Sequence, residues 1–165
     1  MDYLWSPWRY RYLAEPRKIV SCIFCAMSED RHDELNLIVH RGQYNFIVLN
    51  KFPYTNGHLM VVPFKHAADL SAVDEPTAAE LMELTRQAER HLKEIYQPSG
   101  LNIGMNIGES AGAGIAGHIH MHVLPRWHGD ANFMTTIAET RVLPEELEIT
   151  WKRLSQAFRT PPVSH

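Results

Sequence analysis

The residues with the most chemistry per unit length are His118, His120 and His122, spaced two apart in His118-Ile119-His120-Met121-His122-Val123-Leu124-Pro125-Arg126-Trp127. Neutral imidazole is nucleophilic near pH 7 and also carries protons there. Alternation with Ile119, Met121 and Val123 has a period of two, which predicts a β-strand with imidazoles on one face and an apolar face behind. Same-face side chains on a strand stand ~7 Å apart, from a rise of ~3.3 Å per residue. Such a row suits an extended anion, for instance a phosphate chain. It also suits a metal, or an ordinary solvated strand face. A glycine-rich run leads into it, with Gly104, Gly108, Gly112, Gly114 and Gly117. Glycines let backbone N–H groups come close to an anion, which favours the ligand-binding reading.

A second group is Cys22-Ile23-Phe24-Cys25, the only two cysteines of the chain. A C-x-x-C bend is a frequent half of a zinc site, and it is also a redox pair in other settings. Two cysteines this close fit a metal knuckle better than a disulfide framework.

Composition narrows the function classes. The chain has 165 residues, 45% hydrophobic and 21% charged, with a formal charge of −3, as expected of one globular domain. No broad basic field is present, so a nucleic-acid partner is disfavoured while a small nucleotide is not. No apolar run is long enough for a membrane span and no signal-peptide pattern opens the chain, so the expectation is a cytoplasmic protein without a membrane partner. Residues 1–20 form an aromatic arm (Tyr3, Trp5, Trp8, Tyr10, Tyr12) broken by Pro7 and Pro16, expected to pack on the domain or on a second subunit, the alternative being a contribution to a base-stacking pocket. Residues 21–165 read as one domain.

The elements that must position these groups follow from periodicity. Residues 26–34 are polar and read as a loop or short helix. Leu35–His40 and Tyr44–Leu49 are β-rich runs around a short turn, and His58–Pro63 is a third strand after the turn at Pro53, Asn56 and Gly57. A long helix spans Glu75–Tyr96, with Pro76 in its first turn and an apolar stripe of Ala79, Leu81, Met82, Leu84, Ala88, His91, Leu92 and Ile95. Leu101–Ile107 and the histidine segment supply the fourth and fifth strands. Residues 129–143 lack a period and read as a loop over the site, and a C-terminal helix runs over about Pro144–Phe158. The fold class is α+β, an antiparallel five-stranded sheet with one long helix and a C-terminal helix.

The segment His118-Ile-His-Met-His122-Val-Leu124 resembles the His-φ-His-φ-His-φ-φ signature of the histidine triad (HIT) family of nucleotide hydrolases and transferases, φ being apolar. Asn50-Lys-Phe-Pro53 and Asn56-Gly-His58-Leu-Met-Val-Val-Pro63 are similar to that family's nucleotide-binding turn and strand. The opening Leu4-Trp-Ser-Pro-Trp-Arg9 and Pro125-Arg-Trp127 look like bacterial members related to the fragile-histidine-triad branch, some of which cleave diadenosine polyphosphates. The resemblance implies that His120 is the nucleophile that attacks the α-phosphorus and forms a nucleotidyl-histidine. It implies that His122 assists at the phosphate, that His58 supports the catalytic strand, and that Asn50 binds ribose hydroxyls. Asn106 would then contact phosphate, and Phe46 and Leu49 would help form a base pocket. It further implies a structural Zn²⁺ held by Cys22, Cys25, His66 and His118, and a homodimer.

The loop departs from the pattern. Gly114 stands where many hydrolytic relatives have Gln or Ser, and one extra residue separates Asn106 from His118. Backbone N–H groups or Ser110 would take over at the phosphate, and the smaller residue leaves room for inorganic phosphate as acceptor. The expected activity is cleavage of diadenosine tri- or tetraphosphate, by hydrolysis or phosphorolysis. The alternatives are a purine nucleoside phosphoramidase, a non-catalytic AMP-binding protein, and a zinc hydrolase in which all three histidines bind metal.

Overall fold

The computed structural model describes residues 22–130 and 145–160. The aromatic arm and most of the 129–143 loop lie outside the described residues. A two-turn helix α1 (Ile23–Glu29) is followed by β1 (Ile38–Arg41), β2 (Asn45–Leu49) and β3 (Leu59–Pro63). The long helix α2 (Glu75–Tyr96) comes next, then β4 (Gly100–Gly104), β5 (Met121–Arg126) and the C-terminal helix α3 (Leu147–Arg159). All strand pairs are antiparallel, in the order β1-β2-β3-β5-β4.

Residues directly opposite each other in such ladders share a face. One row runs Ile38, Val48, Met60, His122, Gly104 across all five strands. The neighbouring rows, with Ile47, Val61 and Met121 in one and Leu49, Leu59 and Val123 in the other, lie on the opposite face. That second face is buried under α2 and α3 by Leu81, Leu84, Ala88, Leu92, Trp151 and Leu154. The first face carries a smaller core of Phe24, Ile38, Phe46, Val48, Met60 and Val62, and it is the face of His122.

Local chemistry sets the ends of these elements. Helix α2 spans the residues its apolar stripe predicts. The Asp74 side chain caps it by accepting from the Thr77 N–H, and Gln97 closes it in a left-handed conformation. Gly57 has φ of 73°, and a Cβ there would sit 3.0 Å from Leu92, so the turn before β3 needs glycine twice over.

The second and third strands each start one residue later than expected, and the other three differ by more. The first begins at Ile38, because Leu37 is left-handed (φ 58°) and the Ile38 N–H donates into a turn at Asp33 O. The fourth stops at Gly104, four residues before the left-handed Gly108. The fifth begins only at Met121. Upstream of it the Ile119 N–H is taken by Ala67 O, the Pro63 carbonyl accepts from the His118 ring, and Pro63 has no N–H to offer a ladder.

Candidate active site and metal centre

That late start separates the histidines. They are not a row along one strand face. Only His122 lies in β5, while His118 and His120 sit in the irregular lead-in and turn to different partners.

His118 is fully buried, and its Nε2 lies 2.9 Å from the Pro63 carbonyl oxygen. A carbonyl only accepts, so the proton is on Nε2 and the Nδ1 lone pair faces the thiols. Nδ1 is 3.3 Å from Cys22 Sγ and 3.7 Å from Cys25 Sγ, and His66 Nδ1 is 3.3 Å from Cys25 Sγ. The four donor atoms lie within 4.8 Å of one another. A tetrahedral zinc centre with Zn–S of ~2.3 Å and Zn–N of ~2.0 Å has ligand–ligand edges of about 3.3–3.8 Å. The spacing and the Cys₂His₂ chemistry fit such an ion, so these residues can hold a metal. Burial and the adjacent Cys22 push the Cys25 thiol up, and a bound cation reverses that by favouring thiolate. Four protein donors fill a tetrahedron, so a metal here supplies structure and leaves no open position for substrate.

The C-x-x-C segment is helical. Cys22 is the N-cap of α1 and Cys25 stands one turn later, which aims both sulfurs to one side. The C-terminal end of α1 is held from the sheet. Arg41 donates through Nη1 to Ser28 O (2.9 Å), through Nη2 to Met27 O (3.2 Å) and Asp30 O (2.6 Å), and through Nε to the Asp33 carboxylate (2.9 Å).

His120 is 4% exposed, and its Nδ1 lies 2.9 Å from the His118 carbonyl oxygen. The same logic puts its proton on Nδ1 and leaves Nε2 with a lone pair, the state a nucleophile requires. Burial pushes its pKa down, against the backbone hydrogen bond, so the ring is neutral at pH 7. The His122 ring centroid is 4.7 Å away at 73°. Burial, reinforced by the nearby His120, lowers His122 to about 4.

The tautomer of His122 is fixed from behind. Tyr54 N–H (3.2 Å) and Asn50 Nδ2 (3.3 Å) both reach His58 Nδ1, so that nitrogen accepts and His58 carries its proton on Nε2. Nε2–H then donates to His122 Nδ1 at 2.9 Å. His122 is left with its proton on Nε2, free of this chain of bonds and suited to donate to an anionic oxygen.

The remaining candidates are placed as follows. Asn50 follows β2; its N–H donates to His58 O and its Oδ1 accepts from the Phe52 N–H, which ties it to the same turn as His58. Asn106 is half-buried, two residues past the Gly104–His122 pair. Gly114 lies in the turn between the Glu109–Ala111 3₁₀ segment and His118. Phe46 is buried on the His122 face. Leu49 belongs to the core under α2 and α3, so the register carries it away from the base pocket expected of it, and Val48 occupies the His122 face instead.

Sequence reasoning missed Phe24, Arg41 and Tyr54. The Phe24 ring centroid is 5.1 Å from that of His120, and the Tyr54 ring is 4.8 Å from His58 and 6.4 Å from His122. Phe24 was readable from Cys22 and Cys25 had they been set on a helix, since that turns the intervening residues away from the metal.

Comparisons with known proteins agree with this geometry. Residues 33–129 match the family model of the HIT domain. A Mycobacterium tuberculosis protein named AP-4-A phosphorylase is 41% identical over 167 residues, covering 96% of this chain and 85% of its own length. A zinc-bound histidine triad family protein from Mycobacterium smegmatis superposes with a TM-score of 0.69 at 29% identity, over 84% of this chain and 94% of that one. A hypothetical histidine triad nucleotide-binding protein from Sulfolobus tokodaii gives 0.68 at 28% identity, over 84% and 92%. An antiparallel five-stranded sheet with its second face under two helices, an imidazole triad at the edge of β5 and this agreement along nearly the whole chain have one explanation: the protein belongs to the HIT-domain family.

Proposed function

We propose that this HIT-domain enzyme is a nucleotidyltransferase that cleaves dinucleoside polyphosphates, with diadenosine tetraphosphate as substrate and inorganic phosphate as acceptor. The observation that carries the reading is the tautomer of His120, whose Nδ1–H is spent on the His118 carbonyl so that a neutral, buried Nε2 lone pair is presented. The name and the 41% identity of the mycobacterial phosphorylase support phosphate over water as acceptor.

In the first step His120 Nε2 forms a bond to the α-phosphorus while the bond to the bridging oxygen breaks and ATP leaves. The His122 Nε2–H donates to a non-bridging oxygen, where charge accumulates. In the second step a phosphate oxygen attacks the same phosphorus, the N–P bond breaks, and ADP leaves with His120 restored to its neutral form. Asn50 at the ribose, Asn106 and the Gly114 turn at the phosphates, and Phe46 beside Val48 at the base complete the proposed site. Zinc is the metal we assign to Cys22, Cys25, His66 and His118, on ligand type and spacing and on the zinc-bound relative.

Product analysis tests this directly. Diadenosine tetraphosphate is expected to give ADP and ATP only when phosphate is present. AMP with ATP in its absence would replace phosphorolysis with hydrolysis, and no cleavage under either condition would remove the proposal. An adenosine phosphoramidate run in parallel excludes the phosphoramidase alternative. A homodimer remains part of the proposal, supported by the exposed edge strand β4 and its exposed Ile103; molar mass in solution decides it. No helix among the described residues is long and apolar enough to cross a membrane.

A further inference from the structure

Helix α1 carries two thiols on one side, and a single one of its residues, Phe24, is buried, at 2% exposure. That ring does not merely join the small core of Phe46, Val48, Met60 and Val62. It stands edge-on to His118 (centroids 5.4 Å, 79°) and tilted against His120 (5.1 Å, 57°). The imidazole of His120 is therefore bounded by the His118 carbonyl at Nδ1, by the His122 ring at 4.7 Å, and by Phe24. One hydrogen bond leaves a ring free to rock about its donor–acceptor line. A flat, close-packed neighbour removes that freedom, because rotation requires displacing well-packed atoms.

We propose that Phe24 is a positioning residue for His120, and that it couples the metal knuckle to the nucleophile. The path is short: Cys22 and Cys25 fix the start of α1, α1 fixes Phe24, and Phe24 fixes the plane of the His120 ring. The metal thus acts on the reaction by holding the nucleophile's aim while staying outside the chemistry. This rests on the reading of His120 as nucleophile, and its test is arranged to stand apart from that reading.

The variants are Phe24→Leu and Phe24→Met, which keep apolar bulk and remove the flat ring. Metal content, kcat and KM with diadenosine tetraphosphate and phosphate, AMP affinity, and ring ¹⁵N spectra of His120 at about pH 8, above the ordinary histidine range, are measured together. The expected result is unchanged metal content, kcat down by ~10-fold or more with KM within about twofold, and unchanged AMP affinity, since small misplacements of a reacting group act mainly on the chemical step. The ¹⁵N spectrum is expected to pass from one fixed tautomer to averaged ring nitrogens, and metal-stripped wild type is expected to show the same averaging. A rise in KM and loss of AMP affinity at constant kcat would overturn the proposal and make Phe24 a wall of the nucleoside pocket. Unchanged kinetics and spectra would make it core filling, and metal loss in both variants would mean that it shapes the thiols. A fixed tautomer in the metal-stripped protein would break the coupling. If wild type cleaves no substrate, the function proposal fails alone, and the ring spectra and AMP affinity still decide the role of Phe24.

Discussion

Two groups of buried or half-buried histidines lie on opposite faces of the same sheet. On the α1 side are His118, His120, His122 and His58, each with a ring nitrogen bonded to a named partner. On the helix-covered side, His40 stacks on Phe158 (5.3 Å, 26°) and His91 makes a T-shaped contact with the same ring (4.5 Å, 64°). Burial lowers the pKa of His118, His120 and His122 on one side and of His40 and His91 on the other, with His91 adding to the effect on His40 and Arg90 to that on His91, against Glu80 and Glu94. The difference lies in direction. His91 Nδ1 is buried without a hydrogen bond, 3.4 Å from Glu94 Oε2 but not aligned with it. Desolvation alone makes a histidine neutral. A carbonyl or another imidazole at a fixed nitrogen decides which lone pair is offered and where, and only the first group has that.

The largest test of this contrast is His120→Ala. Turnover is expected to fall by about 10⁴-fold or more, as when a nucleophile is removed elsewhere, while AMP binding persists. Retained turnover would place the chemistry at another group. Next is His58→Leu, which takes the proton donor from His122 Nδ1 without touching substrate. A kcat loss of about 10–100-fold is expected, the usual effect of removing a supporting partner. If kcat is unchanged, the tautomer of His122 is not set by His58.

Acid should sharpen the comparison at the level of stability. The lowered histidines are neutral in the folded chain and take up protons in the unfolded chain below its ordinary range of ~6.5. The unfolded state then binds more protons, so stability is full above pH ~6.5 and declines as pH falls toward the folded values, at up to ~1.4 kcal/mol per pH unit for each such group. For His122 the window runs from that range down to about 4. Thermal melting across this span should show a falling Tm; a flat profile would contradict the burial of these rings. The smallest effect is expected from His91→Leu, which removes an unsatisfied nitrogen from the helix side. Activity should stay within about twofold and the low-pH loss of Tm should shrink, as replacing a buried unpaired polar group by an apolar one is near neutral or stabilising. A large activity loss would mean that the two faces communicate.

Much of this was legible in the chain. The α2 stripe gave a helix with its predicted ends, and the short β-rich runs at 44–49 and 58–63, bounded by turn residues, gave two central strands. Cys22, Cys25, His66 and His118 converge as the resemblance implies, although 96 positions separate Cys22 from His118. What misled was period two. Alternation predicts one face only while the backbone stays in the ladder, and at His118–His120 the carbonyls of Pro63 and Ala67 draw it out. The resemblance placed Leu49 beside Phe46, and the residues could not correct it, because a hydrophobic strand buried on both faces gives no sign of which face is which. Tautomers were invisible, since each depends on a backbone carbonyl or a distant ring that only the fold brings near.

The Arg41 clamp has a consequence for how the protein matures. Three of the four donor contacts from one guanidinium on β1 reach carbonyls at the C-terminal end of α1, and the fourth holds the Asp33 carboxylate just beyond it. The sheet holds one end of α1, and the four metal-ligating donors lie at its other end. A chain that has not yet taken up metal is expected to have its sheet and the docked end of α1 in place while the start of the helix, with Phe24, is still loose, unlike a zinc finger that has no fold until it is loaded.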